Sequence, residues 1–131
     1  YYHKFDPEDE KSHRRSIYRF VVRSQPNPFM TTLDCADSSQ STPKRNETLT
    51  ALQALSLLNN KFTLVMARHF ADRLAGEEEK ITRQVELGFE LVAGRPPSSE
   101  EQGLLSEYAS RHGMANLCRS LFSLSEFAFI D

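Results

Sequence analysis

From residue 48 onward, apolar residues recur every three or four positions, the period of an amphipathic helix. Within 51–58 only Gln53 and Ser56 interrupt an apolar run. That pattern predicts a helix hydrophobic nearly all round, placed in the middle of the fold. Thr48 or Thr50 can cap its start, and Asn59-Asn60 breaks it. Asn60 can cap a second helix, Lys61 to Ala75, with Phe62, Met66, Phe70 and Leu74 on one stripe and Gly76 as its C-terminal cap. A third helix follows Glu77-Glu-Glu79, acids that suit the positive end of a helix dipole. Its stripe is Ile81, Val85, Phe89 and Val92, with Gly88 beside it, where another backbone can approach closely. Gly94 ends this helix, and Arg95-Pro-Pro97 forms a rigid joint. Ser98 with Glu101 and Ser99 with Gln102 both have capping-box spacing. The helix they open is expected to bury Leu104, Leu105 and Tyr108 and to stop near Gly113. A last helix carries Leu117, Cys118, Leu121 and Phe122, and Ser123 or Ser125 caps a short helical turn in the tail.

The first third reads differently. After the charged segment Phe5–Glu10, Ser12 has the character of an N-cap for a helix to about Arg23. Ile17, Tyr18 and Val21 would share one face of it, and Arg15, Arg19 and Arg23 another. Pro26 and Pro28 would stop it. Residues 24–47 are rich in turn formers and read as one long irregular loop. Phe29–Leu33 is the one short strand candidate. The expected class is therefore all-α, a compact bundle of about five to six helices.

A chain of 131 residues fits one helical domain over 1–131 with a real core, leaving 1–11 as a linker or an upstream remnant. Charged residues make up 26% and the net charge is −2, which gives no basic footprint for nucleic acid. Apolar runs such as Leu64–Ala67 are far too short for membrane insertion. The chain opens on Tyr1-Tyr2-His3 without a signal-peptide pattern, and is read as a fragment of a longer protein.

Candidate chemistry is sparse. Cys35 and Cys118 belong to no Cys-x-x-Cys pair; buried thiols are the simplest reading, with a disulfide as the alternative. His3, His13, His69 and His112 show no metal-ligand spacing, so no metal site is expected. Gly-x-Ser-x-Gly and phosphate-loop patterns are missing, so no catalytic residues are assigned. Met30, Met66 and Met114 read as core filler. Arg15, Arg19, Arg23 and Arg45, with Arg14 and Lys44 nearby, could grip carboxylate or sulfate groups bidentately. Internal pairing with Asp6, Glu8, Asp9, Asp34 or Asp37 is the plainer reading of the same residues. Gln53, flanked by Leu49 and Leu57, is expected to be buried and to pin backbone groups of the 24–47 segment.

Several of these segments together resemble planctomycete-specific domain one. They are Arg14–Phe20, Leu33–Asp37, Arg45-x-x-Thr48, Leu52–Asn59, Gly94-Arg-Pro-Pro97 with Glu101, Ser125-Glu-Phe127, and the ending Ile130-Asp131. The resemblance runs from His13 to Asp131 and is similar to the C-terminal part of the family domain. Ala51 stands where the family commonly has Pro, and Cys35 lies farther from the arginine than the family's usual cysteine. The resemblance implies a C-terminal domain of unknown function in a large exported protein that often also carries a cytochrome c domain. It thus implies a periplasmic or cell-surface location, and a haem in a sister domain rather than here. Within these motifs Thr48, Asn59 and Glu126 join Gln53 as polar residues expected to serve the structure.

The leading functional expectation is a non-catalytic accessory module whose partners are sister domains of the same chain. The alternatives are a binding module for acidic or sulfated polysaccharide, using the arginines, and part of an enzyme built on the 34–47 loop.

Overall fold

The computed structural model describes residues 5–19, 22, 24–35, 41 and 50–128. Among these, the chain is all-α, with no strand; its α-helices are α1 (Pro28–Thr32), α2 (Ala51–Asn59), α3 (Lys61–Glu77), α4 (Ile81–Ala93), α5 (Ser99–His112), α6 (Met114–Leu121) and α7 (Ser125–Ala128). The chain divides into two compact units, Tyr1–Ser56 and Leu57–Asp131.

In the first unit the described residues of the expected helix from Ser12 to Arg23 do not form it. Two single 3-10 turns stand in its place, Glu10–Ser12 capped by Asp9, and Ser16–Tyr18. Tyr18 N–H donates to Arg15 O at 2.9 Å, three residues back, and Arg19 is already extended. Like charges four residues apart, at Arg15 and Arg19, and β-branched Ile17 disfavour a longer helix here. The strand expected over Phe29–Leu33 is likewise replaced by a helix, α1. Asn27 Oδ1 accepts from Phe29 N–H at 3.0 Å, and Pro28 occupies the first helical turn, where its missing N–H costs nothing. The proline thus starts a helix instead of stopping one, and the 24–47 segment is not wholly irregular.

Thr50 opens α2 through a reciprocal box with Gln53: each backbone N–H donates to the other's side-chain oxygen at 3.3 Å. Gln53 is the buried residue of α2, while Leu52 and Leu55 stand 62% and 55% exposed. The expected central position of this helix is therefore corrected. Apolar composition alone does not bury a helix: the reciprocal box with Thr50 turns Gln53 inward, and Leu52 and Leu55 face solvent. Leu55→Ala should accordingly change the unfolding free energy by less than about 1 kcal/mol, since little area returns to water. A urea midpoint indistinguishable from the parent would show this.

The second unit is a bundle of α3–α6 with α7 against α4. Asn60 Oδ1 caps α3 by accepting from Phe62 N–H at 2.9 Å. The helix runs two residues past the expected end, through Gly76, and is capped at Glu78. Its buried line is Thr63, Ala67, Ala71 and Leu74, with Val65. Phe62, Met66 and Phe70 are only half-buried, so the line is rotated from the expected stripe. Small Ala67 and Ala71 let α6 come close, and with Leu74 they enclose Cys118.

On α4, Val85, Gly88, Phe89 and Val92 are buried as their spacing implies, and Gly94 ends the helix in the left-handed region at φ 73°. Ile81 is exposed. What approaches Gly88 is a side chain, not a backbone: a Cβ there would lie 2.9 Å from Leu74 Cδ1. Val85, Phe89 and Val92 join Ala109, Leu117 and Leu121 in the main core cluster. The Ser98–Glu101 box opens α5. Ser99 makes no second box, because it is already the first residue of the helix; Gln102 Nε2 donates to Thr82 O at 2.6 Å, tying α5 to α4. Leu104 and Tyr108 were expected inside and are not. Ala109 is the buried residue of α5, Leu105 is half-buried, and Leu104 is 68% exposed. An alanine facing α4 lets the two helices approach until the larger neighbours are turned outward.

Candidate functional site

The expected arginine face does not assemble from a helix. Arg14 and Arg15 are exposed, just before the 3-10 turn Ser16–Tyr18. Arg19 places its guanidinium 4.3 Å above the Phe5 ring, and burial there lowers its pKa. Arg23, Arg45 and Thr48 lie outside the described residues. Of the acids offered as partners, Asp9 caps the first turn, accepting from Lys11 N–H at 3.0 Å, and Asp6 accepts from Glu8 N–H at 3.1 Å. Asp37 lies outside the described residues.

Asp34 belongs to a different arrangement. Its backbone sits at φ 58°, the left-handed region that aspartate tolerates better than most residues. Its Oδ2 accepts from Gln53 Nε2 at 3.0 Å, so the amide of α2 reaches back 19 residues to the turn after α1. The partner is a carboxylate, where a backbone group was expected. Gln53→Leu removes the donor and should speed proteolytic cleavage around 28–35. Gln53→Glu sets two carboxylates against each other and should do so more strongly at neutral pH. Equal cleavage in parent and both variants would show that the contact does not hold the turn.

Among the described residues no group of three metal-ligating side chains occurs. His13 Nε2 lies 2.9 Å from Pro7 O. His69 is exposed on α3, and the His112 ring lies 4.6 Å from Tyr108. Cys35 and Cys118 are free thiols rather than a disulfide. Burial pushes the Cys118 thiol up to about 12, which leaves it protonated and unreactive.

The best-built polar constellation centres on Arg95, in the joint between α4 and α5. Its Nη1 and Nη2 donate to Glu101 at 3.0 and 2.9 Å. Its Nε and Nη2 donate to Glu126 at 3.2 and 3.0 Å. One planar guanidinium thus meets two carboxylates along two edges, which lysine could not do. The same group stands 4.9 Å from the Phe89 ring centroid. Glu101 is doubly engaged, since its carboxylate also accepts from Ser98 N–H at 2.7 Å. These side chains are about 36–47% exposed, so salt screens the pairing. Hydrogen bonds from Arg95, then from Ser98, hold the Glu101 carboxyl well below its ordinary 4.5, at about 2, while the two carboxylates raise the pKa of Arg95.

A depressed carboxyl pKa favours the folded state above its unfolded value. The contribution of Glu101 should therefore be complete above pH 4.5 and fade as pH falls toward about 2. A carboxyl-carbon NMR titration of Glu101 with a midpoint near 4.5 would contradict this.

The sequence pairs Gly94-Arg-Pro-Pro97 with Glu101 and marks Arg95-Pro-Pro97 as a joint, but nothing in it links Arg95 to Ser125-Glu-Phe127. The structure brings all three to one guanidinium. Arg119 was also missed. It donates from Nε to Leu58 O and from Nη2 to Asn59 Oδ1, both at 2.7 Å, and so caps the end of α2. Gln84 Nε2 similarly closes the end of α3 by donating to Glu78 O at 2.6 Å.

The described residues thus define an all-α protein whose inward-reaching polar side chains join helix ends and turns. The family model PSD1, a protein of unknown function (DUF1553), matches residues 2–109, and the chain belongs to this planctomycete-associated family. The match ends before Ser125–Phe127. No curated protein and no solved structure matches the chain.

Proposed function

We propose that this domain is a non-catalytic accessory module that packs against sister domains of a larger exported, cytochrome-associated protein. The observation that carries this reading is the outer face of α5. Leu104 and Tyr108, one turn apart, are exposed while the smaller Ala109 takes the core position. Exposed apolar pairs at helical spacing are what a helix presents to a partner surface. The polar side chains Gln84, Gln102 and Arg119 are meanwhile engaged with backbone carbonyls, a role in architecture rather than in turnover. In this reading the haem resides in a sister domain, and the location is periplasmic or at the cell surface.

The test is titration of the isolated sister domains of the parent chain into this one, followed by NMR. Shifts confined to the α5 face, with binding weakened about tenfold by Leu104→Ser, a loss on the order of 1.4 kcal/mol, would support the proposal. Binding of a sulfated or uronic-acid polymer instead, steeply weakened by salt and by Arg15→Ala, would replace it with the polysaccharide reading.

A further inference from the structure

The four-residue helix α7 contains no buried residue. A helix that short has no stability of its own, because nucleation is unfavourable and there is almost no propagation to offset it. Its position therefore depends on what grips it. Leu124, half-buried against the main core cluster, anchors its base. Beyond that point it lies against α4, and two side-chain contacts fasten it. Phe127 stacks on Phe122 with ring centroids 5.3 Å apart, and Glu126 meets Arg95. Phe122 in turn stacks on Phe70 at 5.6 Å, and both rings pack against the two core clusters.

The two carboxylates on Arg95 are not equivalent. Glu101 lies in the first turn of a fourteen-residue helix and is fixed by its capping box with Ser98. Glu126 rides on α7 alone. When thermal motion or screening breaks the cluster, Glu126 is the member free to leave. Arg95 then remains seated on Glu101 and over Phe89. We propose that α7 is a releasable strap: it pivots at Leu124, is latched by Glu126 on a preformed Arg95 seat, and covers the Phe122 ring, which itself stacks on Phe70. Opening it uncovers aromatic surface without disturbing the α3–α6 core. The latch lies on the surface, so ionic strength sets its strength.

Amide hydrogen exchange at Phe127 and Ala128, whose N–H groups donate to Leu124 O at 3.1 and 2.9 Å, reports the strap directly. Raising salt from low concentration to about 1 M, where the Debye length is about 3 Å, should speed exchange at both amides. The expected factor is about two- to five-fold, the range for an exposed ion pair. Glu126→Gln should give the same increase at low salt and remove the salt dependence, with core amides such as Val92 and Leu117 unchanged. Two results would overturn the proposal. Exchange insensitive to both salt and Glu126→Gln would mean that Phe127 alone holds α7. Equal acceleration of the core amides in Glu126→Gln would make the contact part of the fold rather than a latch.

Discussion

Leu117→Ala is expected to destabilise the second unit by roughly 2–5 kcal/mol, the range for a leucine truncated inside a well-packed core. Leu117 is 1% exposed and belongs to the main cluster with Val85, Phe89, Val92, Ala109 and Leu121. It lies on α6 facing helices tied to one another by Gln102 and Gln84, so the walls have little freedom to collapse into the space. Domain stabilities run at about 5–15 kcal/mol, so the loss is a large fraction of the total and could leave the unit unfolded at moderate temperature. The check is a urea melt by far-ultraviolet circular dichroism, with the slope unchanged and the midpoint lowered. Leu55→Ala is the matched comparison, since it removes the same atoms from an exposed place. Similar midpoints for the two variants would mean that the core is not where the structure puts it.

Gly88→Val is the second large effect. A Cβ at this position would lie 2.9 Å from Leu74 Cδ1, and Leu74 is fully buried, so its side chain has no solvent to swing into. Replacing glycine in a helix interior by alanine normally gains about 1 kcal/mol. Overpacking a core costs typically about 1–3 kcal/mol. Gly88→Ala is thus a near-balance of opposing effects. Valine adds two further methyl groups to the same contact and forgoes part of the propensity gain, which tips the outcome to a net loss of about 2 kcal/mol or more. Gly103→Ala isolates the propensity effect. Within α5 its Cβ would meet nothing within 4 Å, so this change should stabilise by about 0.5–1 kcal/mol. Thermal melts of the three variants give the ordering, and stabilisation by Gly88→Val would rule out the close contact with Leu74.

Helix existence in the second unit was legible because its local signals agree. Asn60, the Ser98–Glu101 box, Gly94 and Gly113 mark helix ends through interactions that span four residues or fewer. Val85, Phe89 and Val92 of α4, though not Ile81, and Leu117, Cys118 and Leu121 of α6 are buried as period alone implies. The first unit misled for a related reason. A charged amphipathic pattern over 12–23 resembles a helix on paper, yet adjacent arginines and a β-branched residue leave only isolated 3-10 turns at its described positions. Pro28 reads as a stop together with Pro26, but behind the Asn27 cap its chemistry is that of a start.

Sequence by itself determined the all-α class, the caps at Asn60, Ser98, Gly94 and Gly113, and most helix boundaries after residue 50, because these depend on backbone groups and side chains close together in the chain. Only the tertiary structure decided which apolar residues are covered. Leu52, Leu55, Leu104 and Tyr108 all carry the right chemistry for a core, but Ala67, Ala71 and Ala109 take the contact positions because small side chains let helices approach. The structure alone also assembled the Arg95 cluster, since Glu126 lies 31 residues away. No local period links a guanidinium to a carboxylate that distant; the joint between α4 and α5 and the return of the chain through α6 bring them together.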